Sequence, residues 1–304
     1  MSIDIGVVVT DTYRPGDGDR DTAPLIAALR ARGITAEPVV WHAWDPRRDG
    51  GFRMLVLRTP WDYSEREEEF RAWLQQAGQV CDVQNPPQLV RWNLDKVYLK
   101  QLQQAGVATV PTDWAADQSQ LTEALVGHGQ QWVVVKPTIS AGALNTGLLR
   151  ADSAEARDLG RRILDRGRTV MVQPEVPELS AGREKALYFI DGVFTHAIAK
   201  GALLARGGGF RGGSYQEDPQ PVEASPAEQA FGVQVLNACA AAAGTPVPLY
   251  GRIDVVSTAE WGTVLLEAEL FEPALNLHRA PHAAVALAEA VSRRLEQSAA
   301  QPVG

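Results

Sequence analysis

Apolar and polar positions fall into short alternating blocks along most of the chain. Residues 5–10 form an apolar run that reads as a buried strand. Residues 22–32 carry a helical pattern that stops at Gly33, and 36–41 and 54–57 read as strands. Residues 65–76 form a further helix with Gly78 expected as its stop. Strands alternating with helices predict a small α/β layer fold.

Asn85-Pro86-Pro87 interrupts the pattern and marks a boundary. Asn93 is expected to cap a helix that buries Tyr98, Leu99, Leu102 and Ala105 and ends at Gly106. Strands are expected at 107–110 and 132–135, with a short helix around 121–126 between them. Asp152 and Glu155 read as a capping box opening a helix to residue 166, and 170–173 as a strand. Asp191-Gly192 between the apolar runs 186–190 and 193–199 signals a hairpin. Ser225, Pro226 and Glu228 open a helix that ends at Gly244. Strands at 250–256 and 263–270 and a last helix at 282–297 complete the pattern, with no internal repeat.

Composition narrows the function. A net charge of −8 argues against nucleic acid as the main partner. Two cysteines, Cys81 and Cys239, give neither a disulfide framework nor zinc spacing, which suggests a reducing compartment. No apolar run is long enough for a bilayer, and residues 1–6 lack the features of a signal peptide, so a cytoplasmic protein without membrane attachment is expected. Only five of the 29 basic residues are lysines, so each lysine is a candidate for a role needing a compact ammonium.

Lys136 closes the apolar strand Val133-Val134-Val135, and a loop rich in hydroxyl residues and glycine follows at 138–146, including Ser140 and Gly142. Such a loop can offer N–H groups to phosphate oxygens; a strand end snorkelling its ammonium to water remains the alternative. Arg252 and Asp254 share one strand face, as do Glu267 and Glu269, while Leu266, Ala268 and Leu270 take the opposite face. Paired as a hairpin, these strands bring together three carboxylates that suit Mg²⁺, or form a charged exposed face. The glycine-rich stretch 207–213 matches a dinucleotide fingerprint by letter but lacks its helix, and fits a mobile loop carrying Arg211. Leu148 stands where a Walker A motif needs lysine.

The order Asp95-Lys96, Val135-Lys136-Pro137, Val172-Gln173-Pro174-Glu175, Gly251-Arg252-Ile253-Asp254 and Glu267-Ala268-Glu269 resembles the ATP-grasp superfamily, which includes glutathione synthetases and related carboxylate–amine ligases. The resemblance covers residues 85–280. Arg58-Thr59-Pro60-Trp61-Asp62-Tyr63, the loop from Thr138, the segment 184–192 and Glu269-Leu270-Phe271-Glu272-Pro273 are similar to the cycloserine-biosynthesis branch, whose named member is an O-ureido-serine cyclo-ligase.

The resemblance implies a mixed α/β ATP-grasp fold with an N-terminal α/β domain (1–92), a central lid (93–172) and a C-terminal domain on an antiparallel sheet (173–304). ATP and Mg²⁺ are the implied cofactors, and a homo-oligomer, dimer or tetramer, is implied as well. Lys96 and Lys136, with Ser140 and Gly142, would hold the phosphates. Gln173, Glu175 and Val176 would surround adenine, and Glu178 or Glu184 would reach the ribose. Asp254, Glu267 and Glu269 would bind Mg²⁺. Arg252, Arg211 and Lys200 would stabilise charge on the transferring phosphoryl group or acyl phosphate. Many superfamily members carry Glu-x-Asn where this chain has Glu267-Ala268-Glu269, so one carboxylate is added here.

The implied reaction turns a small amino-acid-like carboxylate into an acyl phosphate for attack by a nitrogen nucleophile, possibilities being ring closure within one molecule or joining of two. A non-catalytic nucleotide-binding regulatory module is the other class. Arg58, Trp61, Asp62 and Tyr63 are expected at the substrate, Arg58 as a bidentate carboxylate fork; a packed loop is the alternative. Glu272 and Asn276 are expected nearby, and His196 and His278 are taken as structural.

Overall fold

The computed structural model describes residues 3–13, 18–49, 51–140, 142–209 and 219–300. Three sheets organise it. The first is parallel, in the order β2-β1-β3-β4, from β1 (Ile3–Val9), β2 (Ala36–Val40), β3 (Phe52–Thr59) and β4 (Asp82–Gln84). Helices α1 (Thr22–Ala31) and α2 (Glu67–Val80) connect its strands, and α3 (Pro87–Asn93) and α4 (Tyr98–Gln104) follow it. Its apolar runs are buried on both faces, as a parallel sheet requires.

The second sheet is antiparallel, in the order β5-β8-β6-β7, from β5 (Asp113–Ala115), β6 (Trp132–Pro137), β7 (Gly147–Arg150) and β8 (Val170–Pro174). Helices α5 (Gln118–His128) and α6 (Ala154–Leu164) bury one face of it. The short helix α7 (Pro177–Ser180) leads to the third sheet, also antiparallel, in the order β11-β10-β9-β12-β13. Its strands are β9 (Lys185–Ile190), β10 (Val193–Ala199), β11 (Gln220–Val222), β12 (Tyr250–Thr258) and β13 (Gly262–Glu269). Helix α8 (Pro226–Ala243), with α4, covers one face of it. Helix α9 (Pro281–Ala300) packs with α1 and the first sheet in a core that also takes Tyr188 and Tyr250 of the third. Among the described residues no helix is long and apolar enough to cross a membrane. Both cysteines are free.

Local signals placed many elements. Asp191 and Gly192, at φ 52° and 78°, make the two-residue turn between β9 and β10. Ser225 and Glu228 form the reciprocal cap of α8, and Gly244 closes that helix in the left-handed conformation.

Other expectations are corrected by packing. Gly78 does not stop α2 but lies inside it, where a Cβ would come within 2.7 Å of Pro87 Cγ. Asn93 ends α3 rather than capping a helix: its amide donates to Ala268 O (2.8 Å) and accepts from Leu270 N (2.9 Å). Ser153, not Asp152, caps α6. Residues 107–110 form no strand; Thr109 alone bridges to Leu265. A boundary after residue 172 would cut β8, whose Val172 and Gln173 both pair with β6.

Candidate active site

The second and third sheets and the N-terminal loops enclose one cavity of about 830 Å³. Strand alternation supplies its first wall. Val133 and Val135 of β6 are fully buried against α5 and α6, so Val134 and Lys136 turn the other way, into the cavity. Gln173 pairs with Val134 and lines the same wall, donating to Thr112 Oγ1 at 2.8 Å. Glu175 and Val176 continue it. Glu175 accepts from Arg206 (3.0 and 2.7 Å) and from Ser180 (2.9 Å).

The opposite wall comes from β12 and β13. Their pairing sets Arg252 opposite Glu269 and Asp254 opposite Glu267, so the expected quartet shares one face. A register shift follows immediately, with Asp254 opposite Glu267 and Val255 opposite Leu265. Leu266 is the extra residue, and the bulge turns it to the cavity rather than to the apolar face assigned by simple alternation. With Val110, Val176 and Leu179 it makes one end of the cavity apolar.

Each carboxylate has a cationic partner. Arg252 grips Asp254 through Nε (2.7 Å) and Nη2 (2.8 Å) and also donates to Glu269. Lys200 bridges Asp254 and Glu184 at 3.1 Å each. Lys96 Nζ lies 2.9 Å from Glu267 Oε1 and donates to Ser140 O at 3.0 Å. Among the described residues no three acidic, histidine or cysteine side chains are gathered as a metal requires. The donor chemistry nevertheless fits a hard cation: Asp254, Glu267 and Glu269 line one cavity, and all their free lone pairs are oxygen.

The titrations follow from this crowding. Burial works to raise Asp254, but Arg252 and Lys200 outweigh it and hold its pKa below the usual carboxylate value. Glu269 is pushed well up by burial, against Arg252, with Glu272 and Glu267 adding to the rise. Glu272 is raised by burial and Glu267. The Lys136 ammonium has no hydrogen bond or ion pair to any described residue, and burial lowers its pKa to about 8. An unpartnered ammonium facing a cavity fits an anionic ligand such as phosphate.

The third wall tests the substrate residues. Trp61 and Asp62 line the cavity; Trp61 Nε1 donates to Glu272 O (2.8 Å), and Asp62 accepts from Trp41 Nε1 (2.7 Å). Glu272 and Asn276 also line it. Arg58 does not: it is fully buried, donates to Pro273 O at 2.6 Å, and stacks 4.8 Å over the Tyr250 ring. It is a packed arginine, not a carboxylate fork. Tyr63 is likewise buried behind the wall and steadies Glu272 Oε1 through its hydroxyl at 2.9 Å.

Of the two ribose candidates, Glu184 lines the cavity, whereas Glu178 accepts from Ala259 N (3.1 Å) on the β12–β13 turn. Ser140 and Gly142 line the cavity. Arg211 lies outside the described residues. His196 stacks on Tyr188 at 4.2 Å and is neutral, burial lowering its pKa to about 4. His278, taken as structural, instead lines the cavity, as do Tyr13 and Arg20. These sit on loops without periodicity, so no sequence signal marked them.

Two antiparallel sheets and the N-terminal loops around a cavity that pairs an apolar end with lysines and a carboxylate-bearing hairpin define an ATP-grasp ligase, an ATP-dependent enzyme that forms carbon–nitrogen bonds. Comparison with known proteins refines this. Residues 5–85 match the family "D-cycloserine synthetase DcsG, N-terminal domain". The cycloserine biosynthesis protein DcsG of Streptomyces lavendulae is 35% identical over 288 residues, 91% of this chain and 95% of that protein. The chain belongs to the DcsG family of ATP-grasp ligases. The crystal structure of D-cycloserine synthetase DcsG superimposes with a TM-score of 0.86 and 33% identity, covering 96% of this chain and 99% of that one. A D-alanine–D-alanine ligase from Bacillus anthracis, complexed with ATP, shares the fold at a TM-score of 0.68 and 14% identity over 97% and 98% of the chains.

Proposed function

We propose that the protein activates the carboxylate of a small amino-acid-like substrate with ATP and lets a nitrogen of the same molecule close a ring, the reaction type of cycloserine formation. The observation that carries this reading is one continuous cavity running from an apolar end, past Lys96 and Lys136, across the carboxylate face, to the N-terminal loops. Its volume of about 830 Å³ is in the range of sites that hold a nucleotide together with a small acid. Identity to cycloserine synthetases over nearly the whole chain supports ring closure.

In this reading Val176, Gln173, Glu175 and Leu266 flank the adenine, and Glu184 meets the ribose. Lys96 and Lys136, with Ser140 and Gly142, hold the phosphates as point charges and loop donors. Asp254, Glu267 and Glu269 would hold Mg²⁺, which supplies neutralising charge to the phosphates. A substrate carboxylate oxygen attacks the γ-phosphorus, and the bond to the ADP oxygen breaks. The substrate nitrogen then attacks the activated carbonyl carbon, loses its proton, and phosphate leaves. Arg252 and Lys200 stabilise the charge that develops on the oxygens. Trp61, Asp62, Glu272 and Asn276 border the substrate.

The test is ADP release with Mg·ATP against a panel of amino-acid derivatives including O-ureido-serine, with and without hydroxylamine. Release dependent on one carboxylate, a hydroxamate in the trap and a ring product support the proposal. A linear amide formed from two substrates would replace ring closure with intermolecular ligation.

A further inference from the structure

Asp21 stands just before α1, the position from which an aspartate ordinarily caps a helix. Its carboxylate does not do so. Asp19 Oδ1 takes over, accepting from Thr22 N (3.0 Å) and Asp21 N (2.9 Å). Asp21 is turned into the protein and is only 3% exposed. There Oδ2 accepts from Leu275 N at 2.5 Å and Oδ1 from Leu277 N at 2.8 Å. Arg58, 3.6 Å away, supplies the countercharge and holds Pro273 O from the same side.

The two N–H groups flank Asn276, whose backbone is left-handed at φ 53°. Asparagine is among the few non-glycine residues that adopt this backbone readily, and the two held amides fix it here. Asn276 Nδ2 donates to the Tyr188 hydroxyl at 2.9 Å. Its Oδ1 has no partner among the described residues, and the residue lines the cavity beside Glu272 and His278.

We propose that Asp21 is a positioning residue for the substrate end of the cavity: it clamps the amides of Leu275 and Leu277 so that Asn276 holds its left-handed turn and presents its amide oxygen to an N–H group of the substrate. The ligand class is a small carboxylate bearing an ammonium or amide-type N–H. What the cavity turns over rests on the function proposed above; the clamp itself does not.

Two measurements separate these. In the first, hydrogen exchange at the Leu275 and Leu277 amides is compared in the wild-type protein and Asp21→Asn. The clamp requires protection in the wild type and exchange about tenfold faster or more in the variant, the loss of one hydrogen bond's worth of local stability. Unchanged exchange overturns it.

In the second, steady-state kinetics are run with the carboxylate that supports ADP release. Asp21→Asn and Asn276→Ala are each expected to raise the KM for that carboxylate about tenfold while leaving the KM for ATP within about twofold. The double variant is expected to be no worse than the poorer single variant, because Asp21 acts through Asn276. Additive effects, or equal rises for ATP and carboxylate, overturn the positioning role. If Asp21→Asn does not fold, Asn276→Ala decides alone, and an unchanged carboxylate KM overturns the proposal. If no carboxylate supports turnover in the wild type, the proposed function fails and the exchange experiment still judges the clamp.

Discussion

Lys96 Nζ stands 2.9 Å from Glu267 Oε1, so a lysine expected at the phosphates and a carboxylate expected at the cation are paired with each other. Arg252 with Glu269 and Lys200 with Asp254 repeat the arrangement along the same face. Three of the cavity's carboxylates are thus paired with cations of the protein itself. In the proposed function, binding of Mg·ATP would exchange partners, phosphate for carboxylate at the lysine and metal for lysine at the carboxylate. Lys136 stands outside this exchange, because no carboxylate among the described residues holds it.

Lys136 and Lys96 are therefore expected to differ when removed. Lys136→Ala should weaken ATP binding about tenfold or more, the loss of a charge-assisted contact, and leave the melting temperature unchanged or higher. Lys96→Ala should weaken binding and also lower the melting temperature, since it strips Glu267 of its cation. Titration calorimetry and thermal melts distinguish the two. ATP binding by Lys136→Ala equal to that of the wild type would remove this lysine from the phosphate site.

The pH dependence of binding follows from the same lysine. Burial lowers the Lys136 pKa from 10.5 to about 8. Its folded-state pKa lies below its unfolded one, so the cost of burying its charge is fully present below pH 8 and relieved as pH rises from 8 towards 10.5. A bound phosphate favours the charged form. ATP affinity should therefore be flat below pH 8 and fall above it, with a proton taken up on binding there. Calorimetry in buffers of different ionisation heat measures that proton, and Lys136→Ala should abolish the uptake.

Arg58 is expected to act on stability before it acts on substrate. Its guanidinium is buried against Asp21, Pro273 O and the Tyr250 ring. Arg58→Ala should destabilise the protein by about 3–5 kcal/mol, as removal of one partner from a buried pair does. Urea denaturation measures this. A variant with wild-type stability and a raised substrate KM would restore Arg58 to the carboxylate-binding role read from its motif.

Gly232 tests the packing beneath the carboxylate-bearing sheet. On α8, a Cβ at this position would lie 2.3 Å from Phe189 Cζ and 2.6 Å from Cε2, side-chain atoms of a fully buried ring on β9. Gly232→Ala gains helix propensity but should still lose about 1–3 kcal/mol, because the ring has little room to yield. A denaturation midpoint at or above that of the wild type would show that Phe189 shifts freely.

The sequence by itself determined what neighbours along the chain can enforce. The Asp191-Gly192 turn, the Ser225–Glu228 cap, the buried strands of the first sheet and the shared face of Arg252 with Asp254 and of Glu267 with Glu269 all follow from φ preference, capping chemistry or a two-residue period. So does Lys136, a charge at the end of an alternating strand that turns it away from the helices α5 and α6. The tertiary structure decided the rest. Arg58 sits in a motif rich in functional residue types, yet contacts with Asp21 and Pro273, distant in sequence, withdraw it from the cavity. Glu178 and Glu184 looked equivalent until the fold spent one on the β12–β13 turn. One extra residue in β13 reversed the face of Leu266, and loops without a period brought His278 to the cavity and Asp21 to the amides around Asn276. Periodicity fixes which way a side chain leaves its own strand or helix. Which polar groups then meet, and which are buried from water, depends on contacts between segments far apart in the chain, and only the folded arrangement supplies them.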